Sequence, residues 1–283
     1  MVIRGELFAQ CRGLIALRDE ESADFDTTCI FQDILGEKFP MFSPKEPVPD
    51  NKAAEILSLA RQRSEGYPLQ YLLGQWEFWG CNFRIGEGVL IPRPDTETLV
   101  EHVLGICRRK GLKKPKIADL CSGSGCIAVA LKKEIPEAEV YAVELSEKAL
   151  YYLRQNTELN DCGDIRIISG DVLKSETARR ISELDILVSN PPYLTTQDMN
   201  ELMTEVRYEP ESALFGGEDG LDFYRAITEL WRASVKDGGY IAYELGLGQH
   251  EAVKAILETN GFGDVELQRD GAGIIRTVAA LKR

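Results

Sequence analysis

Ile117-Ala118-Asp119-Leu120-Cys121-Ser122-Gly123-Ser124-Gly125-Cys126-Ile127-Ala128 is the stretch whose reading decides the fold. An apolar strand ends in a turn of small residues, and a helix opens at once. Glycines in such a turn let the backbone approach a ligand closely and expose the first helical N–H groups. Taken alone, Gly123-x-Gly125-x-x-Ala128 also fits a dinucleotide fingerprint, and a tight turn without any ligand is the bland alternative.

Outward from this turn, β-type runs and helical stretches alternate. Apolar runs fall at 117–120, 140–143, 165–168, 186–189 and 240–243. This alternation argues an α/β fold with a mostly parallel sheet covered on both faces. A last pair of runs, 265–268 and 274–281, is joined by Asp270-Gly271-Ala272-Gly273. It reads as a hairpin and adds antiparallel pairing at one edge.

Toward the N-terminus, residues 1–75 read as a small helical domain. Ile3, Leu7, Cys11 and Leu14 recur at helical spacing, as do Phe25, Cys29, Ile30 and Ile34. Gly36 is a stop signal, and Asp50 is a plausible N-cap for a helix carrying Ala53, Ile56, Leu57 and Ala60. Residues 76–91, with Trp76, Phe78, Trp79 and Phe83, suggest a hairpin linker to a second domain, 92–283. In Ile91-Pro92-Arg93-Pro94-Asp95-Thr96-Glu97 two prolines force extended backbone before a helix that begins near Thr96.

The chain has 283 residues, with 33 Lys and Arg against 46 Asp and Glu, a net charge of −13. Hydrophobic residues at 44% and charged residues at 28% describe a globular protein with a real core. No apolar run approaches the ~18 residues of a membrane span, so no membrane partner is expected. The first residues turn acidic too soon for a secretory or transit peptide. Seven scattered cysteines without a CxxC pair, and only His102 and His250, indicate neither a metal site nor a disulfide framework. Reduced thiols in a cytoplasmic protein are the expectation. The acidic balance argues against a grip on nucleic acid, which needs a basic footprint. The one basic run, Arg108 to Lys116, reads as a solvated loop between helix and strand.

Four elements carry chemistry. Asp119 sits at a strand end, where it repels a pyrophosphate but attracts a ligand bearing an ammonium and a sulfonium. S-adenosylmethionine is such a ligand. Glu144, 25 residues further on, also ends a strand and is suited to accept both ribose hydroxyls, or simply to neighbour a helix N-cap. Asp171 with Val172 suits an adenine amino group and ring, although Asp as an N-cap is equally natural.

The fourth element is the sharpest: Asn190-Pro191-Pro192-Tyr193 after the buried run 186–189. Two prolines remove two N–H donors and leave acceptors exposed. The Asn190 side-chain oxygen and the Pro191 carbonyl can accept both hydrogens of one planar NH2 group. Tyr193 offers a ring for a flat group to lie against. Such a nitrogen is a poor nucleophile because its lone pair is delocalised. Two acceptors favour a tetrahedral nitrogen aimed at a methyl sulfonium, so positioning and electrostatics suffice without metal or strong base.

In this order the four elements resemble the class I S-adenosylmethionine-dependent methyltransferases. Asn190-Pro191-Pro192-Tyr193 resembles the motif of enzymes that methylate a planar nitrogen in DNA, RNA or protein glutamine. Pro68-Leu69-Gln70-Tyr71-Leu72-Leu73-Gly74, Glu77-Phe78-Trp79, the 91–97 segment and Tyr208-Glu209-Pro210 resemble the HemK/PrmC-type peptide chain release factor glutamine methyltransferases. The likeness covers nearly the whole chain and is strongest over 67–220. One departure stands in the glycine loop, where Cys121-Ser122 replaces the family's usual glycine and hydroxyl residue.

The resemblance implies a Rossmann-like seven-stranded sheet and methylation of the Gly-Gly-Gln glutamine in class 1 release factors, modulating translation termination. It assigns the methionine part of S-adenosylmethionine to Cys121, Ser122, Gly123, Ser124 and Gly125, with Asp119 preceding them. Glu144 takes the ribose, and Asp171 and Val172 the adenine. Asn190 to Tyr193 hold the glutamine amide, with Asn190 also near the methyl donor, and S-adenosylhomocysteine is the product. The helical domain helps dock the protein substrate, and a monomer is the simpler expectation. A nucleic-acid methyltransferase would share the Asn-Pro-Pro-Tyr chemistry but needs a basic cleft. A non-catalytic protein that retains the fold would be expected to lose Asn190 or Asp119.

Overall fold

The computed structural model describes residues 2–36 and 43–283. The chain divides into two compact units, Met1–Gln75 with Met203–Tyr208, and Trp76–Leu202 with Glu209–Arg283. No sequence pattern announces that 203–208 belongs with the first unit.

In the first unit β1 (Val2–Ile3), α1 (Arg4–Ala16), α2 (Ala23–Leu35), β2 (Pro47–Val48), α3 (Asp50–Ser64) and α4 (Leu69–Leu73) follow one another. α1 buries Leu7, Cys11 and Ile15. Ile15 therefore continues the stripe in place of Leu14, and Ile3 belongs to β1, paired antiparallel with Pro47. α2 ends at Gly36 in the left-handed conformation. Pro49 takes the cap position of α3, so Asp50 is the first helical residue instead of the N-cap. Its carboxylate there suits the positive end of the helix dipole.

A larger difference lies in α2. Phe25 is 57% exposed, whereas Asp26 is buried. The reason is Arg63 on α3, whose Nε donates to Asp26 Oδ2 at 2.6 Å and whose Nη1 donates to Glu205 Oε1 at 2.7 Å. One planar guanidinium thus joins α2, α3 and the 203–208 segment. Burial lifts the Asp26 carboxyl above its ordinary range despite that cation, a measure of the desolvation the pair must offset.

The second unit begins with β3 (Gln75–Phe78) and β4 (Cys81–Arg84), which pair as a two-stranded sheet. Trp79 and Gly80 both have positive φ, as a two-residue hairpin turn requires. Trp79 is held there by its N–H to Glu97 Oε1 at 2.8 Å and its ring Nε1 to Glu134 at 2.9 Å. The hairpin is an integral part of this unit.

Then come α5 (Pro94–Lys110), β5 (Lys116–Leu120), α6 (Cys126–Glu134), β6 (Glu139–Glu144), α7 (Glu147–Leu159), β7 (Arg166–Ser169), α8 (Ser175–Ala178) and β8 (Leu184–Ser189). The chain ends with α9 (Thr196–Asn200), α10 (Asp222–Trp231), β9 (Val235–Glu244), α11 (His250–Thr259), β10 (Phe262–Arg269) and β11 (Ile275–Lys282). α5 starts at Pro94, two residues before the expected Thr96, because proline needs no N–H donor at the first helical position. Of the basic run, Arg108, Arg109 and Lys110 end α5 and, with Lys113 and Lys114, are exposed; Arg109 pairs with Glu266, and Lys114 with Glu137 at 2.9 Å.

The seven-stranded sheet has the order β10-β11-β9-β8-β5-β6-β7. β7, β6, β5, β8 and β9 run parallel, and β11 is antiparallel to both β9 and β10. The expected closing hairpin is present, with β10 at the edge and β11 inserted beside β9. After β5 the chain runs to β6 and β7, then returns to β8 on the other side of β5. The crevice above the carboxyl ends of β5 and β8 is the switch point where open α/β sheets bind ligands.

Asp26→Ala is expected to lower stability by about 3 kcal/mol, because it leaves a buried guanidinium without its closest carboxylate. Chemical denaturation followed by circular dichroism measures this. Replacing both partners, Asp26→Leu with Arg63→Met, should recover most of the loss.

Candidate active site

A cavity of about 770 Å³ opens above the switch point, inside the second unit. Cys121 to Ser124, Glu144, Asp171, Val172, Asn190 and Pro192 all line it. Elements far apart in sequence meet there because β5, β6, β7 and β8 end on one edge of the sheet. Asp119, Gly125, Pro191 and Tyr193 are not among the lining residues.

The glycine turn is shaped from below. Ser122 Oγ donates to the Asp119 carbonyl at 2.7 Å, and Ser122 N–H to Val143 O at 3.1 Å. Gly125 caps α6 with φ 84°, a left-handed conformation that favours glycine, and a Cβ there would also press on the Leu153 side chain of α7. Asn156, fully buried on α7, donates to Ser124 O at 2.9 Å and exchanges two hydrogen bonds with the Arg84 backbone. It ties the turn to the β3–β4 hairpin. Cys121 has φ 58°, the left-handed region that costs a non-glycine residue roughly 1–3 kcal/mol. This is where the resembled family usually has glycine. Burial pushes the Cys121 thiol far above its ordinary value, which disfavours the thiolate.

The acids Glu144, Asp119 and Asp171 behave differently. Glu144 accepts Gly123 N–H on Oε2 at 2.8 Å and the N–H groups of Leu145 and Ser146 on Oε1, both at 2.8 Å. It is therefore a fixed, hydrogen-bonded carboxylate at the cavity wall. Asp119 is fully buried beneath the turn, neither oxygen has a well-formed hydrogen bond, and burial pushes its carboxyl up to about 8. The expectation that Asp119 faces a ligand directly is not how the structure places it. Asp171 accepts Leu173 N–H at 2.9 Å and does not cap α8, whose cap residue is Lys174. Val172, nearly buried, is fixed by Trp231 Nε1 donating to its carbonyl at 2.9 Å.

At the end of β8, Ser189 Oγ donates to Leu120 O at 2.7 Å, which clamps the two central strands together. Asn190 Nδ2 donates to Thr96 Oγ1 at 3.2 Å, and Tyr193 OH to Glu244 Oε1 at 3.4 Å. Gln249 Nε2 donates to the Tyr193 carbonyl at 3.0 Å. The glycine-rich stretch after Tyr208 forms a cavity wall through Pro210, Glu211 and Phe215. It is stitched to the motif by Leu194 N–H to Leu214 O and Gly216 N–H to Leu194 O, both 2.8 Å. A Cβ on Gly216 would lie 2.7 Å from Pro192 O and Tyr193 Cα, so the close approach requires glycine.

Arg93 lines the cavity and is paired with the buried Glu209, which also accepts Ile91 N–H at 3.0 Å. Glu97, from the same segment, anchors the hairpin turn at Trp79. His102 is buried, with Nδ1 2.7 Å from Thr277 Oγ1, in a purely structural setting. Sequence reading missed Asn156, Glu244 and Gln249, and it placed Thr96 and Glu209 in stretches of the family likeness without giving either a role in the site. Glu244 carried a readable signal, an acid directly after the apolar run 240–243. Asn156 and Gln249 act through contacts that no local pattern encodes.

The cavity suits a nucleoside with a positively charged appendage. Apolar walls from Val89, Ile91 and Val172 take a flat ring, and the fixed Glu144 and Asp171 carboxylates supply acceptors. The Gly123 N–H is already committed to Glu144, so the turn has less to offer a phosphate.

Comparison with known proteins agrees with this geometry. The PrmC N-terminal domain model matches residues 6–74, and the methyltransferase small domain model matches 95–213. A release factor glutamine methyltransferase from Geobacter sulfurreducens is 37% identical over 94% of this chain and 92% of its own. Its counterpart from Thermodesulfovibrio yellowstonii is 37% identical over 87% and 88%. A methyltransferase structure from Pyrococcus furiosus shares the fold, with a TM-score of 0.52 at 18% identity, covering 83% of this chain and 99% of that one. A second unit built on the methyltransferase sheet and a first unit matching the PrmC N-terminal domain, with such identity across nearly the full length, make this chain a member of the release factor glutamine methyltransferase family.

Proposed function

We infer that this protein transfers the methyl group of S-adenosylmethionine to the side-chain amide nitrogen of the Gly-Gly-Gln glutamine in a class 1 peptide chain release factor. The observation that carries the reading is Asn190 and Pro192 sharing one cavity with the glycine turn and Glu144, in a chain of this family. S-adenosylmethionine, when bound, supplies an electrophilic methyl on a sulfonium.

The chain's own residues do the rest. Glu144, held by three backbone N–H groups, keeps lone pairs for the ribose hydroxyls. Asp171 and Val172 are taken as the adenine contacts. Asn190 Oδ1 and the Pro191 carbonyl accept the two hydrogens of the glutamine amide, and stiff proline backbone keeps them in place. Positive charge developing on the nitrogen during attack is relieved through those hydrogens. Asp119 acts from below as a support of the turn. The first unit contributes no residue to the cavity wall among the described residues, which leaves residues 1–75 for recognising the protein substrate. The basic run of α5 lends a nucleic-acid substrate little support, since Arg109 and Lys114 are already paired with carboxylates.

Mass spectrometry of a class 1 release factor incubated with this protein and S-adenosylmethionine should show one added methyl on the Gly-Gly-Gln glutamine. Asn190→Ala is expected to abolish that gain while cofactor binding stays near normal; near-normal turnover in this variant would defeat the mechanism. Glu144→Ala should weaken S-adenosylmethionine binding by roughly 10- to 150-fold, the loss of a charge-assisted hydrogen bond. Calorimetry giving an unchanged dissociation constant would remove Glu144 from the ribose role.

A further inference from the structure

Prolines at 191 and 192 stiffen the Asn190–Tyr193 segment, but they remove two N–H groups that could tie its backbone to its neighbours. Its hold on the rest of the fold therefore lies at its ends. At the start, Ser189 Oγ donates to Leu120 O and Asn190 Nδ2 to Thr96 Oγ1. At the far end, the Tyr193 carbonyl accepts from Gln249 Nε2 at 3.0 Å.

Gln249 occupies the N-cap position of α11, where Ser, Thr, Asp or Asn serve best, and its side chain makes no cap bond. The amide is used elsewhere. Oε1 accepts Gly246 N–H at 3.0 Å, and Nε2 also reaches Gly220 O at 3.4 Å. The Tyr224 hydroxyl, which donates to Glu244 O at 2.8 Å, stands 3.3 Å from Oε1. A backbone N–H only donates and a carbonyl only accepts, so a single orientation of the amide satisfies Gly246, Tyr193 and Gly220 together.

Glycines let these segments meet. A Cβ on Gly220 would lie 2.3 Å from Tyr193 O and 2.6 Å from Gln249 Nε2. One on Gly246 would lie 2.7 Å from Gln249 Oε1 and 3.0 Å from Cδ2 of the Tyr193 ring. The backbone and the ring of Tyr193 are thus both set against the Gln249 amide and the turns it joins.

We propose that Gln249 is the positioning residue for the substrate half of the site. Its amide fixes the Tyr193 carbonyl and, through the stiff prolines before it, the Pro191 carbonyl and Tyr193 ring that receive the glutamine amide. The consequence rests on the glutamine-methylation reading; the hydrogen bonds do not. Tyr193, Gly220, Gly246 and Gln249 are not among the residues lining the cavity read as the cofactor site, so the effect falls on methyl transfer and leaves cofactor affinity alone.

Gln249→Glu tests this at nearly constant size. One carboxyl oxygen still accepts Gly246 N–H. When ionised, the other oxygen faces the Tyr193 and Gly220 carbonyls and repels them; when protonated, it donates to Tyr193 O as the glutamine does. A carboxyl so placed takes up its proton at higher pH than an exposed one. At alkaline pH its kcat for release factor methylation should be about 10- to 100-fold below that of the unmodified protein, the effect of misplaced reacting groups. The ratio of the two should climb back toward one as the pH falls. Of the titratable groups nearby, Tyr193 and Tyr224 of α10 stay uncharged because burial raises their hydroxyls. Glu244 at the end of β9, and His250 beside Glu251 in α11, are common to both proteins and drop out of the ratio.

Gln249→Met, which loses the donor and the acceptor at similar length, should lower kcat about tenfold at every pH, the loss of one hydrogen bond. Calorimetry should give an unchanged dissociation constant for S-adenosylmethionine in both variants. The 13C resonance of the Tyr193 carbonyl should titrate in Gln249→Glu and not in Gln249→Met. Undiminished kcat in folded Gln249→Met, or a Gln249→Glu protein that does not recover in acid, overturns the proposal. So does a cofactor affinity that falls in step with kcat, the mark of a site deformed as a whole. A titrating Tyr193 carbonyl in Gln249→Glu, with no release factor methylated even by the unmodified protein, would instead overturn the substrate reading and support the hold of Gln249 on the motif.

Discussion

The parallel adjacency of β5 and β8 is the constraint on which the rest of the structure depends. Parallel strands need a crossover, and crossovers in one sheet are right-handed. Filling β6 and β7 on one side of β5 and returning to β8 on the other leaves a crevice above the central pair. The turn after β5 and the Asn-Pro-Pro-Tyr segment after β8 can then share one cavity, although about 65 residues separate them. Ser189 Oγ bonding to Leu120 O locks this pairing one residue before the chemistry starts.

Glu144, Asp119 and Glu244 lie at or near strand ends at this edge, and burial gives each a different environment. Glu144 faces the cavity with its charge distributed over three backbone N–H groups. Asp119, one layer down, lacks well-formed hydrogen bonds and is pushed toward its neutral form. Glu244 is also buried, with the Tyr193 hydroxyl 3.4 Å from Oε1 and no hydrogen bond to Oε2. The chemistry of a carboxylate is the same in all three, so the differences come from desolvation and from the donors within reach.

The first unit shows the same rule in a structural role. A helical stripe of apolar residues would have placed Phe25 inside, and the Arg63 guanidinium placed Asp26 there instead. A buried ion pair adds little net stability over apolar packing, but its planar geometry admits few alternative partners. Here it selects the 203–208 segment through Glu205.

Local chemistry was legible without coordinates: the strand–glycine turn–helix unit, the Asn190-Pro191-Pro192-Tyr193 sequence, the alternation that gives the sheet, and the family likeness. Each depends on residues close in sequence, where backbone geometry and periodicity leave a direct trace. The order of strands was not legible in residue spacing, nor was the insertion of β11 beside β9. Position within a turn was also decided in three dimensions, since Asp119 sits beneath its loop and Glu144 at the cavity wall. Thr96, Asn156, Glu209, Glu244 and Gln249 hold the site through contacts with residues distant in sequence. Sequence by itself determined which chemical groups are available and on which kind of element. Only the tertiary structure decided which of them are buried, paired and charged, because desolvation and hydrogen-bond partners depend on what the fold brings near.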